Sequence, residues 1–182
     1  MRIRAGSCLT QALLIVVWSM LTYMVYVIIH DQITACISVE YFTVGHAPVF
    51  DTQDRTLLGL GWGVLAAWWV DLLLEIPLAT LARIGNRPKY TPKSLIRPVL
   101  LLSGCSAVLA AASGVTALVL ATNGWISLHP EMSSRLPPDK HTPFLVDLWI
   151  HKASYTGGFV DGTFVMGWVW RMRIRMEQAD PA

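Results

Sequence analysis

Charged side chains are scarce in this sequence. Asp, Glu, Lys and Arg make up 14% of its 182 residues against 54% hydrophobic ones, and the mean hydropathy is +0.49. Soluble domains carry roughly a quarter of their residues as charges, so water is the wrong solvent for this chain. Paired cysteines are missing as well: Cys8, Cys36 and Cys105 lie far apart without a C-x-x-C spacing, which argues against a disulfide framework and a zinc knuckle. Basic residues form no long run and the net charge is only +2, so the electrostatic footprint of a nucleic-acid partner is lacking. No Walker loop, dinucleotide fingerprint, G-x-S-x-G elbow or H-E-x-x-H pair occurs, and no internal repeat is visible. The familiar nucleotide-dependent and hydrolase templates therefore do not apply.

Long apolar runs are what the chain does contain. A bilayer core of about 30 Å takes roughly 20 apolar residues in a helix, because lipid leaves backbone groups nothing outside the segment to bond. Four segments meet this requirement: Leu9–Ile29, Leu57–Leu81, Pro98–Thr122 and a more polar Leu145–Trp170. The first exceeds a cleavable signal core and ends in Tyr-Val-Ile-Ile-His-Asp without a small-x-small site, so it reads as an anchor. Cytoplasmic loops collect Lys and Arg. Arg2 and Arg4, the group Arg83, Arg87, Lys89, Lys93 and Arg97, and the group Arg171, Arg173 and Arg175 all fall on one side of a four-span layout. The expectation is one all-α membrane domain over 1–182: an integral bundle of four transmembrane helices with both termini cytoplasmic, in contact with membrane lipids. Its long first external loop, His30–Thr56, is too apolar for a free tether and is expected to carry structure. Small residues at Ser103–Ala107, Ala110, Ala111 and Gly114 suit close helix packing.

His30-Asp31-Gln32, followed by Ile37-Ser38-Val39-Glu40-Tyr41-Phe42-Thr43, resembles a motif of an uncharacterised family of small bacterial polytopic membrane proteins. Many of its members have Pro where this chain has Val39. The resemblance implies a bacterial inner (plasma) membrane and brings with it no catalytic residues.

Ionisable residues at helix-centre depth cost about 2.5–3.5 kcal/mol on insertion scales and so mark candidate functional sites. Asp71 and Glu75 are one helical turn apart in the second span, and Asp147, His151, Ser154, Gly158 and Asp161 form a stripe along the fourth. With spans two and four running the same way, Asp71 and Asp161 lie roughly 21 and 24 Å from the external ends and share a level. No Lys or Arg lies deep enough to neutralise them. Two blander readings compete: the second span ends near Leu74 with Pro77 beyond it, and Asp161 marks a break in the Gly-rich turn of span four.

Externally, His30, Asp31, Glu40, His46, Asp147 and His151 gather imidazoles and carboxylates, the usual ligands of divalent transition metals. Glu40, His46, Asp147 and His151 are the candidate ligands, against the alternative of solvated interface histidines.

Three function classes stay open. The first is an accessory or interaction subunit, with a membrane-protein partner or a second copy seated in an exposed groove along span three. The second is a membrane-embedded metal-dependent enzyme acting on a lipid-soluble substrate, with Asp161 as the candidate catalytic, proton-handling group. The third is a small proton- or cation-coupled carrier lined by Asp71, Glu75 and Asp161, which requires a polar cavity joining Asp71 to Asp161.

Overall fold

The computed structural model describes residues 8–179, and every regular element among them is helical. The elements are α1 (Cys8–Ile37), α2 (Val39–Thr43), α3 (Arg55–Arg83), α4 (Pro92–Thr122), α5 (Pro130–Ser133), a 3-10 turn at Pro138–Lys140, and α6 (His141–Ala179). Arg2 and Arg4 lie outside the described residues.

Helix α1 does not stop where its apolar run stops. It continues to Ile37, and the first break is Ser38, whose φ of −146° and ψ of 100° are extended. His30 and Asp31 are therefore helical, and the connection to α3 is shorter than His30–Thr56. Backbone hydrogen bonding propagates a helix past the end of its hydrophobic stretch until a residue leaves the helical region. Helix α3 starts at Asp54, whose carboxylate accepts from the Leu57 N–H at 2.8 Å. It runs through Pro77 to Arg83, so the helix does not end near Leu74. Helix α4 opens with Pro92 at its first turn, and the Ser94 hydroxyl accepts the Thr91 N–H at 3.0 Å. Helix α6 passes through Asp161 without a break.

Helix α1 packs mainly on α3 and α4 mainly on α6, with α6 also against α1 and α3. Contacts give the directions. Ile28 near the end of α1 meets Gly63 near the start of α3, Ser113 of α4 donates to the Trp149 carbonyl of α6 at 3.1 Å, and Tyr26 of α1 bonds Ser154 of α6 at 3.0 Å. The helices thus alternate up and down. The α3–α4 loop and the end of α6 meet at one end, where Arg87 pairs with Glu177 at 2.8 Å and lies over the Trp170 ring. Arg173 is fully buried there. It donates to the carbonyls of Leu81, Ile84, Arg87 and Pro88, tying α6 to the end of α3. Loose helix-terminal carbonyls are what a guanidinium fork satisfies best.

At the opposite end the first loop does carry structure. Tyr41 and Phe42 of α2 join Leu58, Leu128, Leu136, Phe144 and Leu145 in an apolar cap. Elsewhere the outer faces are apolar, with Trp18, Leu21 and Val25 on α1, Trp68 and Leu73 on α3, and Leu101 and Val108 on α4 exposed. Helices α1, α3 and α4 are long and apolar enough to cross a membrane, and the chain is a multi-pass α-helical membrane protein. By that measure the spans among the described residues number three, not four. Helix α6 falls short because Asp147, His151, Lys152 and Asp161, with Gly157, Gly158 and Gly162, lower its hydropathy.

Gly59 and Gly63, one turn apart on α3, let α1 approach closely. A methyl at Gly63 would lie 2.8 Å from the Ile28 Cα, a backbone atom that cannot rotate away, whereas one at Gly104 would meet nothing. Gly63→Ala is expected to destabilise by about 1–3 kcal/mol and Gly104→Ala to be neutral or mildly stabilising. Thermal unfolding of the two variants in detergent checks this.

Candidate metal centre

Helices α1, α2 and α6 bring a polar cluster together beneath the apolar cap. Asp147 and His151 are one turn apart on α6 and face inward, at 0% and 2% exposure. Asp31 of α1, 3% exposed, approaches from the other side. His151 lies between the two carboxylates: its Nδ1 is 2.7 Å from Asp147 Oδ1 and its Nε2 is 3.4 Å from Asp31 Oδ1. The Tyr41 ring stacks on the imidazole at 4.2 Å between centroids, and the His30 ring meets it edge-on at 4.9 Å. Coordinating atoms of His30, Asp31 and His151 all lie within 4.8 Å of one another.

The Asp147 contact is close but poorly aligned. The His151 Nδ1 is also 3.1 Å from the Asp147 carbonyl, and both Asp147 carboxylate oxygens are buried without a hydrogen-bond partner, as is His30 Nε2. Proximity matters more than angle for charge, because Coulomb attraction at this distance is strong away from water.

The sequence candidates divide. Asp147 and His151 join the cluster. Glu40 instead pairs with Lys140 at 3.0 Å, next to the Ser38 hydroxyl at 3.2 Å, so it ties α2 to the turn before α6. The Nδ1 of His46 lies 2.9 Å from the Tyr41 carbonyl, and its ring packs between Tyr41 and Trp62. His30 and Asp31 occupy the places beside His151. They had been visible as an imidazole–carboxylate pair closing the first apolar run, but only the continuation of α1 to Ile37 turns them inward. His141 bonds the carbonyls of Ser133 and Leu136 at 3.1 Å and shapes the loop before α6.

Asp71, Glu75 and Asp161 lie further along the bundle, where Asp161 accepts from the Ser106 hydroxyl at 2.6 Å. Gly157 admits Ser106, since a methyl there would come within 2.5 Å of its hydroxyl oxygen.

No protein-family model, curated protein or solved structure matches this chain. The chemistry of the cluster therefore rests on its geometry.

Both Asp147 atoms facing His151 Nδ1 are acceptors, so that nitrogen carries hydrogen. In a neutral ring Nε2 would then present a lone pair to an Asp31 oxygen, another acceptor. The arrangement needs a proton or a cation at this point: a protonated Asp31 carboxyl donating to Nε2, an imidazolium, or a cation between Nε2 and Asp31. An imidazolium leaves two buried carboxylates with one balancing charge. A divalent cation with neutral histidines balances both, and it employs the unpartnered His30 Nε2. Two imidazoles and one carboxylate suit zinc or ferrous iron. Asp147 behind Nδ1 is the second carboxylate that commonly orients a metal-bound histidine.

Glu40 offers a measurable pH effect. Burial raises its carboxyl, but its own backbone N–H, Lys140 and Ser38 together outweigh burial and hold it below 4.5. A lowered folded value means the stabilisation is full above 4.5 and disappears as pH falls through the folded value. Because Lys140 is partly exposed, the effect is under about 1 kcal/mol. Glu40→Gln should lower the unfolding midpoint at neutral pH and match the parent in acid.

Proposed function

We propose that this membrane protein binds a divalent transition metal through His30, Asp31 and His151, with Asp147 orienting His151, and acts as a metal-dependent enzyme on a lipid-soluble substrate. The observation that carries the reading is the convergence of these ligand atoms, with the Asp147 carboxylate behind His151 and an unpartnered His30 nitrogen beside it. A metal so held supplies Lewis-acid activation of water or of a substrate oxygen. Asp31 and His151 would bind it, and Tyr41 would shield the imidazole from solvent.

An apolar groove of about 400 Å³ supports the substrate class. It runs between α1 and α4 over α6, lined by Ile33, Ile37, Ala110, Gly114 and Ile150, with His30 and Tyr26 at its polar edge. An apolar molecule lying in it would reach the His30 imidazole from the lipid side. The same groove follows the small residues of α4, as the accessory-subunit reading expects, and that reading keeps this support. It gives no reason for the convergence of His30, Asp31 and His151.

For the setting, the reading takes α6 as a fourth span. Its outer face carries exposed Phe159, Val160 and Phe164, like the apolar faces of the other three helices, and Asp147, His151 and Ser154 turn inward, although Lys152, Thr156 and Thr163 are exposed. With the α3–α4 basic loop cytoplasmic, both termini are inside, and the sequence resemblance favours a bacterial inner membrane.

Detergent-purified protein is expected to hold about one zinc or iron per chain by elemental analysis. His30→Ala and His151→Ala should abolish binding, and Asp147→Asn should weaken it about 10–100-fold. Folded protein that neither retains nor takes up metal would rule the centre out.

For topology, a membrane-impermeant maleimide applied to intact cells should label Cys36 and reach Cys8 only after permeabilisation. Labelling of both from the same side would overturn the four-span arrangement.

A further inference from the structure

A second polar site lies deeper in the bundle, toward the basic end. A cavity of about 40 Å³ is bounded by Tyr23 of α1, Asp71 and Glu75 of α3, Ser103 of α4 and Asp161 of α6. Asp71 is 2% exposed, and its Oδ2 has no hydrogen-bond partner; Glu75 Oε2 is likewise buried and unpartnered. Asp161 is satisfied in part by the Ser106 hydroxyl, and Glu75 by the Ser19 hydroxyl.

The groups facing this cavity can be followed element by element. Of polar groups, helix α1 contributes the Tyr23 phenol, with the Ser19 hydroxyl beside Glu75; α3 contributes the two carboxyls; α4 contributes the Ser103 hydroxyl, with Ser106 on Asp161; and α6 contributes Asp161. No Lys, Arg or His lines it. Three ionised carboxylates without a counter-charge, away from water, are too costly to hold together. Positive charge must enter the cavity.

A single metal ion is a poor candidate. Among the described residues only His30, Asp31 and His151 bring three ligand atoms of His, Cys, Asp or Glu within 4.8 Å of one another, so one ion does not gather these three carboxylates directly. Protons need no such convergence, since each is taken by one carboxyl and shared with a neighbour through a hydroxyl or a water. The cavity has room for about one water.

We propose that Asp71, Glu75 and Asp161 form an exchangeable-proton site, in which a proton held by the carboxyls can be lost and regained in the folded protein. From this site Tyr23 leads to Tyr26, their rings 5.5 Å apart, and Tyr26 bonds Ser154 one turn from His151. Hydroxyl groups thus extend from the carboxyls toward the histidine cluster. The proton site does not depend on metal being bound there.

Dicyclohexylcarbodiimide tests this on the unmodified full chain in detergent. The reagent adds across its N=C bond to a protonated carboxyl in apolar surroundings, and peptide mapping identifies the residue. Label is expected on Asp71, Glu75 or Asp161, with a rate that falls about tenfold per pH unit above its midpoint and is unchanged by sodium. Infrared difference spectra between acid and alkaline samples should show a carboxylic C=O band that Asp71→Asn or Glu75→Gln reduces. Labelling that is the same at every pH would mean permanently protonated structural carboxyls, and protection by sodium would mean a metal-ion site. Either result overturns the proposal, as does the absence of both label and infrared band.

Discussion

Polar side chains inside an apolar-walled bundle have only one another to bond, and the α1–α6 interface is organised by that constraint. Asp31 and Thr34 on α1 face Asp147, His151 and Ser154 on α6, all at least nine-tenths buried. Sliding either helix by one turn would leave buried carboxylates and an imidazole unmatched, and a lone buried charge costs several kcal/mol. The relative position of α1 and α6 is thereby set, and the groove between α1 and α4 follows from it.

Close backbone approach and one buried guanidinium complete the frame. Gly63 brings α3 onto α1, and Gly157 and Gly158 give room for Ser106 and for the Tyr23 hydroxyl. In a membrane such contacts matter because packing, rather than the hydrophobic effect, holds helices together. At the basic end Arg173 gathers carbonyls from the end of α3 and from the loop that follows it. That residue contributes to the sidedness signal in sequence, and in three dimensions it is a structural pin.

The result is a bundle with two polar sites at different depths. One is rich in imidazole, capped by aromatic rings and adjacent to a lipid-accessible groove. The other has only oxygen atoms for its polar groups, among apolar side chains, and its volume is about 40 Å³. Tyr23, Tyr26 and Ser154 lie between them. A metal centre handling an apolar substrate would have a proton-bearing site within the same bundle.

Helices and their apolar faces were legible in the linear sequence, because a bilayer demands about 20 apolar residues per crossing and the chain supplies them in blocks. The importance of α6 was also visible, since Asp147, His151, Ser154 and Asp161 recur at helical spacing and share one face. Which residues meet His151 was not. Glu40 and His46 have suitable chemistry and are near in sequence to His30 and Asp31, yet Lys140 and the Tyr41 carbonyl hold them elsewhere. The length of α1 beyond its apolar run decided that, and a hydrophobic pattern carries no signal for it. Depth suggested that Asp71 and Asp161 share a level, but the cavity joining them depended on how α3 and α6 pack. Periodicity within one helix reports which residues share a face; only the packing of one helix on another determines what that face meets.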